Sequence, residues 1–231
     1  MSSATITTSA RLMNSIPQTE EQAMVRKVAV SSFLGNFIEW FDYASYSYFA
    51  TTIALVFFPT DNHTVAMLQT FGVFALSFIL RPIGALFWGS YGDKKGRKAA
   101  LAHSIMFMSG ASFLIGCLPS YSVIGVGAPI LLLLLRMVQG FSASGEYAGA
   151  ATFLGEYAPT SKRGIYCSLI PASTAIGLLA GSTLATLMTA NMNSSAMVGW
   201  GWRVPFLLAG PLGLIVLYIR AKLADSPSTS R

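Results

Sequence analysis

The chain has 231 residues, of which 53% are hydrophobic and only 10% charged, and its mean hydropathy is +0.58. A soluble domain carries roughly 25% charged residues, so this composition excludes a water-soluble globule and describes an integral membrane protein. The net charge of +6 does not indicate nucleic acid, because the basic residues cluster between apolar runs instead of forming a stripe with interleaved aromatics.

In chain order, residues 1–27 are polar and rich in Ser and Thr. The apolar run behind them is too long for a signal-peptide core, so they are expected to form a cytoplasmic tail. A bilayer crossing needs about 20 mostly apolar residues. Six runs qualify: 28–58, 65–91, 99–118, 127–154, 165–190 and 204–221. The connections FFPTDN, GDKKGRK, LPSYSVIG, APTSKRG and NMNSSAMVGWGWR carry turn residues. Residues 222–231 are expected to form a second cytoplasmic tail. The predicted fold class is an all-α membrane protein whose residues 28–221 form six transmembrane helices. A barrel is excluded, because barrel strands are short and alternate.

Lys and Arg orient the spans by the positive-inside rule. With the N-terminus inside, the inner segments hold Arg11, Arg26, Lys27, Lys94, Lys95, Arg97, Lys98, Lys162, Arg163, Arg220, Lys222 and Arg231, twelve of the fifteen basic residues. The outer loops hold Arg203, and Arg81 and Arg136 lie within spans. Both termini are therefore expected on the cytoplasmic side. Trp200 and Trp202, just before Arg203 and Pro205, fit an outer interfacial belt. Asn62-His63-Thr64 and Asn193-Ser194-Ser195 match the glycosylation tripeptide, a pattern short enough to recur by chance. Cys117 and Cys167 fall at opposite membrane faces and are expected to stay unpaired. Gly145 and Gly149, like Gly177 and Gly181, present small-residue faces for close helix packing within the bundle.

The informative residues are the ionisable ones inside the spans: Glu39, Asp42, Arg81, Arg136 and Glu146. Each costs roughly 2.5–3.5 kcal/mol at a span centre, so each needs a compensating role. At 100° per residue, Ser32, Asn36, Glu39, Asp42, Tyr43 and Tyr46 share one face of the first span, opposite Phe37, Phe41, Ala44, Tyr48 and Leu55. That polar face must meet protein or a water-filled cavity. In the fourth span Arg136, Gln139, Gly140, Glu146 and Tyr147 fall within about a third of the circumference. Two carboxylates as close as Glu39 and Asp42 cannot both ionise cheaply in low dielectric, which makes the pair a candidate proton and substrate station. The alternative is a set of buried ion pairs that hold the bundle together, the reading preferred for Arg81.

The motifs point the same way. GSYGDKKGRK at 89–98 resembles the loop motif of the major facilitator superfamily, and RMVQGFS at 136–142 resembles its fourth-helix motif. Within that superfamily GNFIEWFDY, LRPIGALFWGSYGDKKGRK, LLRMVQGFSASGEYAGA and WGWRVPF resemble the metabolite:proton symporters, which include proline/betaine, α-ketoglutarate, citrate and shikimate carriers. The resemblance runs from about Val28 to Arg220. It implies the N-terminal six-helix half of a proton-coupled transporter in the cytoplasmic (inner) membrane, with two halves rocking about a midplane site. It also implies that Glu39, Asp42, Arg136, Gln139 and Glu146 face the substrate cavity, with Arg136 a candidate clamp for a carboxylate. The proton is the coupling ion, and no other cofactor or metal is expected. For the inner gate it implies Gly89, Asp93, Gly96, Arg97 and Glu156. Gly89 and Gly96 would permit close approach and a tight turn, Arg97 would reach Glu156, and Asp93 would contact the other half. Lys94, Lys95 and Lys98 are expected to serve topology and lipid headgroups.

The symporters have twelve spans, whereas this chain ends after its sixth, at ADSPSTSR. A truncated reading frame is the expected reason, with a separate second half or a homodimer as the other two. Small organic solutes are the expected substrates. One Arg with acids nearby favours proline- or betaine-type zwitterions over organic acids, which stay the alternative. A non-transporting six-helix scaffold is the competing reading from another class. An enzyme is not expected, since His63 and His103 stand in different segments and no Ser/His/Asp set can be proposed.

Overall fold

Turn chemistry decides where each helix of this chain stops. In the computed structural model, which describes residues 18–222, every regular element among those residues is helical. The first span comprises Gln18–Tyr48 and Ala50–Phe57, joined through Phe49, and it stops ahead of Pro59. Asn62 opens the second span by accepting from the backbone N–H of Thr64 at 3.0 Å and Val65 at 3.3 Å, an N-cap that satisfies donors the helix cannot. That span is broken at Leu80 into His63–Ile79 and Arg81–Lys95, with Pro82 in the first turn of the second piece, where its missing N–H costs nothing. Gly96 then turns the chain with φ of 96°, a conformation that favours glycine, and the third span starts at once as Arg97–Cys117.

The fourth span is Gly127–Tyr157, ending before Pro159. The fifth is Arg163–Cys167 and Leu169–Asn191, entered through a single 3-10 turn. A short outer helix, Ser194–Gly199, is capped by Asn193, which accepts from the Ala196 N–H at 2.8 Å. The sixth span is Val204–Ala221. Five helical stretches among the described residues are long and apolar enough to cross a membrane: His63–Lys95, Arg97–Cys117, Gly127–Glu156, Thr160–Asn191 and Gly201–Ala221. The first span falls short of that standard because Asn36, Glu39, Asp42 and their hydroxyl-bearing neighbours dilute it.

The first helix begins at Gln18, ahead of the apolar run, because EEQAMVRK is built of good helix formers. The remainder of the expected tails, 1–17 and 223–231, lies outside the described residues. One expectation needs correction. Trp200 is exposed as an interfacial residue should be, but Trp202 is fully buried, edge-on to Phe57 at 5.3 Å between ring centroids. Arg203 beside it stacks over the Trp202 ring and donates to the Gly116 carbonyl at 2.8 Å and to that of Leu118, capping the third span. Cys117 and Cys167 are both free, as expected.

Three apolar layers stack along the bundle. Phe49, Ile53, Phe57, Leu132 and Phe206 form one near the outer loops. Ile38, Ile105, Met108 and Val216 form a central one, and Val28, Leu101, Phe153 and Ile170 an inner one. The small-residue faces serve packing inside the bundle. A Cβ on Gly177 would come within 2.8 Å of the Phe37 carbonyl, and one on Gly181 within 2.6 Å of Ala44, so the fifth span lies directly against the first. Gly145 likewise admits Trp88, and Gly149 admits Leu101.

Candidate functional site

The polar residues of the first span meet three different neighbours. Asn36 turns to the fifth span, donating to the Ile170 carbonyl at 3.0 Å, Ser173 at 2.8 Å and Thr174 at 2.9 Å. Asp42 faces the fourth and third spans. Its Oδ2 accepts from Arg136 Nη1 at 2.6 Å and its Oδ1 from Ser112 at 2.9 Å, and Ser112 in turn accepts from Gln139. Arg136 also lies 3.9 Å from the Tyr46 ring centroid and 5.4 Å from that of Phe206. The charge cost of both residues is thus offset by an ion pair, hydrogen bonds and a cation–π contact.

Glu39 is in a different place. It accepts from Arg81, whose Nη2 also donates to the Tyr43 hydroxyl, and the Arg81 guanidinium sits 4.7 Å from the Phe78 ring centroid and 5.1 Å from that of Tyr43. The helix break at Leu80 makes this possible, since Arg81 begins the lower helix of the second span and points across to the first. Arg81 therefore does have a polar surrounding, which its own span did not reveal.

Glu146 belongs to a third cluster. Arg220 donates to both its oxygens, through Nη2 to Oε1 and through Nη1 to Oε2 at 3.0 Å, and Ser104 adds a bond at 3.1 Å. Arg220 also reaches the Leu101 and Ser31 carbonyls. One bidentate pair so ties the first, third, fourth and sixth spans. Arg220 is the residue sequence reasoning missed, by counting it only among the inner basic residues that set topology. A signal existed, because Ala209, Gly213, Val216 and Arg220 continue one helical stripe, and all four are buried.

The expected cavity-facing set is therefore divided. Asp42, Arg136 and Gln139 come together, Glu39 joins Arg81, and Glu146 joins Arg220. The Arg136 side chain is 1% exposed and enclosed by the helices of this bundle.

At the inner end, Arg97 Nε lies 3.1 Å from Glu156 Oε1, and Gly96 makes the tight turn. Asp93 is exposed. Gly89 is exposed too, and a Cβ there would meet nothing within 4 Å, so no helix of this bundle requires glycine at that position. Lys98 does more than set topology, since its Nζ donates to the Ala221 carbonyl at 3.2 Å and caps the sixth span.

Buried, paired charges inside a helical bundle accord with the family comparison. The profile of the family described as sugar (and other) transporter matches residues 27–228. The chain belongs to this family. The family is one of transporters and not of enzymes. The glycine betaine/proline/ectoine/pipecolic acid transporter OusA of Dickeya dadantii is 43% identical over 208 residues, covering 90% of this chain and 42% of the relative. The proline/betaine transporters of Salmonella typhimurium and Escherichia coli K12 are 42% and 41% identical with the same coverage. The chain thus spans 42% of the length of these relatives. Among solved structures, the major facilitator superfamily proton:xylose symporter XylE bound to 6-bromo-6-deoxy-D-glucose superposes with a TM-score of 0.80 at 16% identity, over 90% of this chain and 46% of that one. The partially occluded inward-open XylE of E. coli gives 0.79 at 18% identity. The fold is the N-terminal six-helix bundle of the major facilitator fold.

Proposed function

We propose that this chain is the N-terminal half of a proton-coupled symporter for small zwitterionic solutes of the proline/betaine type. The observation that carries the proposal is the Asp42–Arg136 pair, 2.6 Å apart and closed off from solvent where the first and fourth spans cross. In low dielectric, a proton on Asp42 leaves the Arg136 charge uncompensated against Tyr46, which is costly. Proton binding therefore changes the relative stability of any two arrangements of these spans that treat the pair differently, and that difference is the free energy of coupling. The proton is the only coupling ion the reading requires. The solute class is supported by the proline/betaine names of relatives at 41–43% identity.

The solute path is completed by a second six-helix half, in keeping with relatives more than twice the length of this chain. Exposed Asp93 and Gly89 supply its contact at the inner gate, with the Arg97–Glu156 pair beside them. The positions of Lys and Arg support the cytoplasmic (inner) membrane with both ends of the bundle inside.

The test is uptake of labelled proline and glycine betaine by cells lacking their own carriers. The cells express this chain alone or beside the C-terminal half of the E. coli relative, with and without a protonophore. Accumulation abolished by the protonophore is expected. Protein in the membrane with no protonophore-sensitive uptake in either setting overturns the proposal.

A further inference from the structure

Arg81, Arg136 and Arg220, each paired with a carboxylate within the spans, differ in what remains open. Arg136 and Arg220 have side chains 1% exposed, whereas the Arg81 side chain is 26% exposed although its partner Glu39 is at 1%. Arg136 is enclosed by Asp42, Tyr46 and Phe206, and Arg220 is shared among Glu146 and two carbonyls. An incoming anion reaches neither without dismantling the bundle. Arg81, at the break between the two helices of the second span, is the one whose side chain has surface left to meet an anion.

The surroundings of Arg81 hold unused hydrogen-bonding capacity of both signs. Its Nη2 serves Glu39 and Tyr43, while its Nε is buried without a partner among the described residues. Glu39 Oε2 is a buried acceptor in the same state, and the indole N–H of Trp40, which stands edge-on to Tyr43 at 5.8 Å, is a buried donor in the same state. Buried polar groups are ordinarily satisfied; Arg136 and Arg220 carry unpartnered nitrogens too, so what sets Arg81 apart is that its side chain, alone of the three, has exposed surface beside such groups.

Resting on the symporter reading above, we propose that Arg81 binds the carboxylate of the solute and that Glu39 faces the solute's cationic group. Charge selects the class. Arg81 and Glu39 together are neutral, so a carboxylate arriving alone is repelled by Glu39, and a dicarboxylate lacks a second open cation. A solute with a cationic nitrogen one or two carbons from its carboxylate leaves the site neutral. The planar guanidinium, set against the rings of Tyr43 and Phe78, offers a two-point contact that Lys does not reproduce.

The experiment compares Arg81→Gln and the double variant Arg81→Gln, Glu39→Gln with the unaltered chain in the uptake assay. It measures KM and Vmax for glycine betaine and adds choline, which has the same cation without the carboxylate, as competitor. The double variant removes both charges, so it leaves no unpaired buried carboxylate to unfold the bundle. The expected result is a KM raised about 10- to 100-fold, the worth of a charged hydrogen bond. Vmax should be largely kept, and choline, ignored by the unaltered chain, should compete as well as glycine betaine. An unchanged KM with unchanged rejection of choline overturns the assignment of Arg81, as does a fall confined to Vmax. Unaltered chain that carries no zwitterion at all overturns the symporter reading itself, a separate result.

Discussion

Gly35 on the first span faces Glu146 on the fourth so closely that a single methyl group on Gly35 would overlap the Glu146 carboxylate and the Arg220 guanidinium. The missing side chain is what lets a buried ion pair sit against the backbone of a neighbouring helix. Gly35→Ala should push the pair out of its place and cost about 1–3 kcal/mol by overpacking. Gly72 is also helical, but a Cβ there meets nothing within 4 Å. Thermal unfolding in detergent should show a lowered midpoint for Gly35→Ala and none for Gly72→Ala; equal effects would mean that the Gly35 contact is not tight.

The same pair makes a prediction about charge. Arg220→Leu leaves Glu146 buried with Ser104 as its remaining partner, and breaking a buried pair from one side costs about 3–5 kcal/mol. The inserted, protease-resistant fraction should fall sharply. Adding Glu146→Gln removes the stranded charge and should restore most of that loss. If the double variant is as poor as the single one, Arg220 stabilises through its contacts with the Leu101 and Ser31 carbonyls and not through charge.

Asp42→Asn tests coupling apart from binding. Asparagine keeps the size and still bonds Ser112 and Gln139's network, but it cannot exchange a proton with the Arg136 pair. Proton-driven accumulation should be lost, while exchange of labelled for unlabelled solute across the membrane, which needs no net proton movement, persists. The inserted fraction should fall, because Arg136 loses its counter-charge, so accumulation and exchange are compared per inserted molecule. Accumulation at the original level would remove Asp42 from coupling.

How far the sequence foretold this arrangement depends on what each signal measures. Run length and turn residues located all six spans, because the bilayer thickness and the chemistry of Asn62, Gly96, Pro159 and Asn193 act locally. Helical phase correctly placed Glu39 and Asp42 on the protein-facing side, but phase gives a direction and not a partner. That is why one polar face was read where there are three ion pairs. Arg220 escaped because a basic residue in the last turn of a span counts equally toward topology whether it points to the headgroups or inward. Trp202 escaped for a related reason, since aromatic position near an interface says nothing of rotation into the core. The Arg97–Glu156 pair was legible because the loop motif and the end of the fourth span are both short and charged in complementary ways.

That pair is the last to test. Arg97 and Glu156 lie 3.1 Å apart with side chains 31% and 23% exposed, so their contribution to stability is small, about 0–1 kcal/mol after solvent screening. A gating role makes a different demand, because a weak bond at the mouth of the bundle changes how often the inner end opens without changing whether the bundle folds. Arg97→Ala should therefore leave the unfolding midpoint nearly unchanged and KM within about twofold, while Vmax falls about tenfold as one gate state loses its support. Arg97→Lys should recover part of the rate, since it keeps the charge. A rise in KM at constant Vmax would place Arg97 in solute binding, and a large drop in midpoint would make it a structural residue.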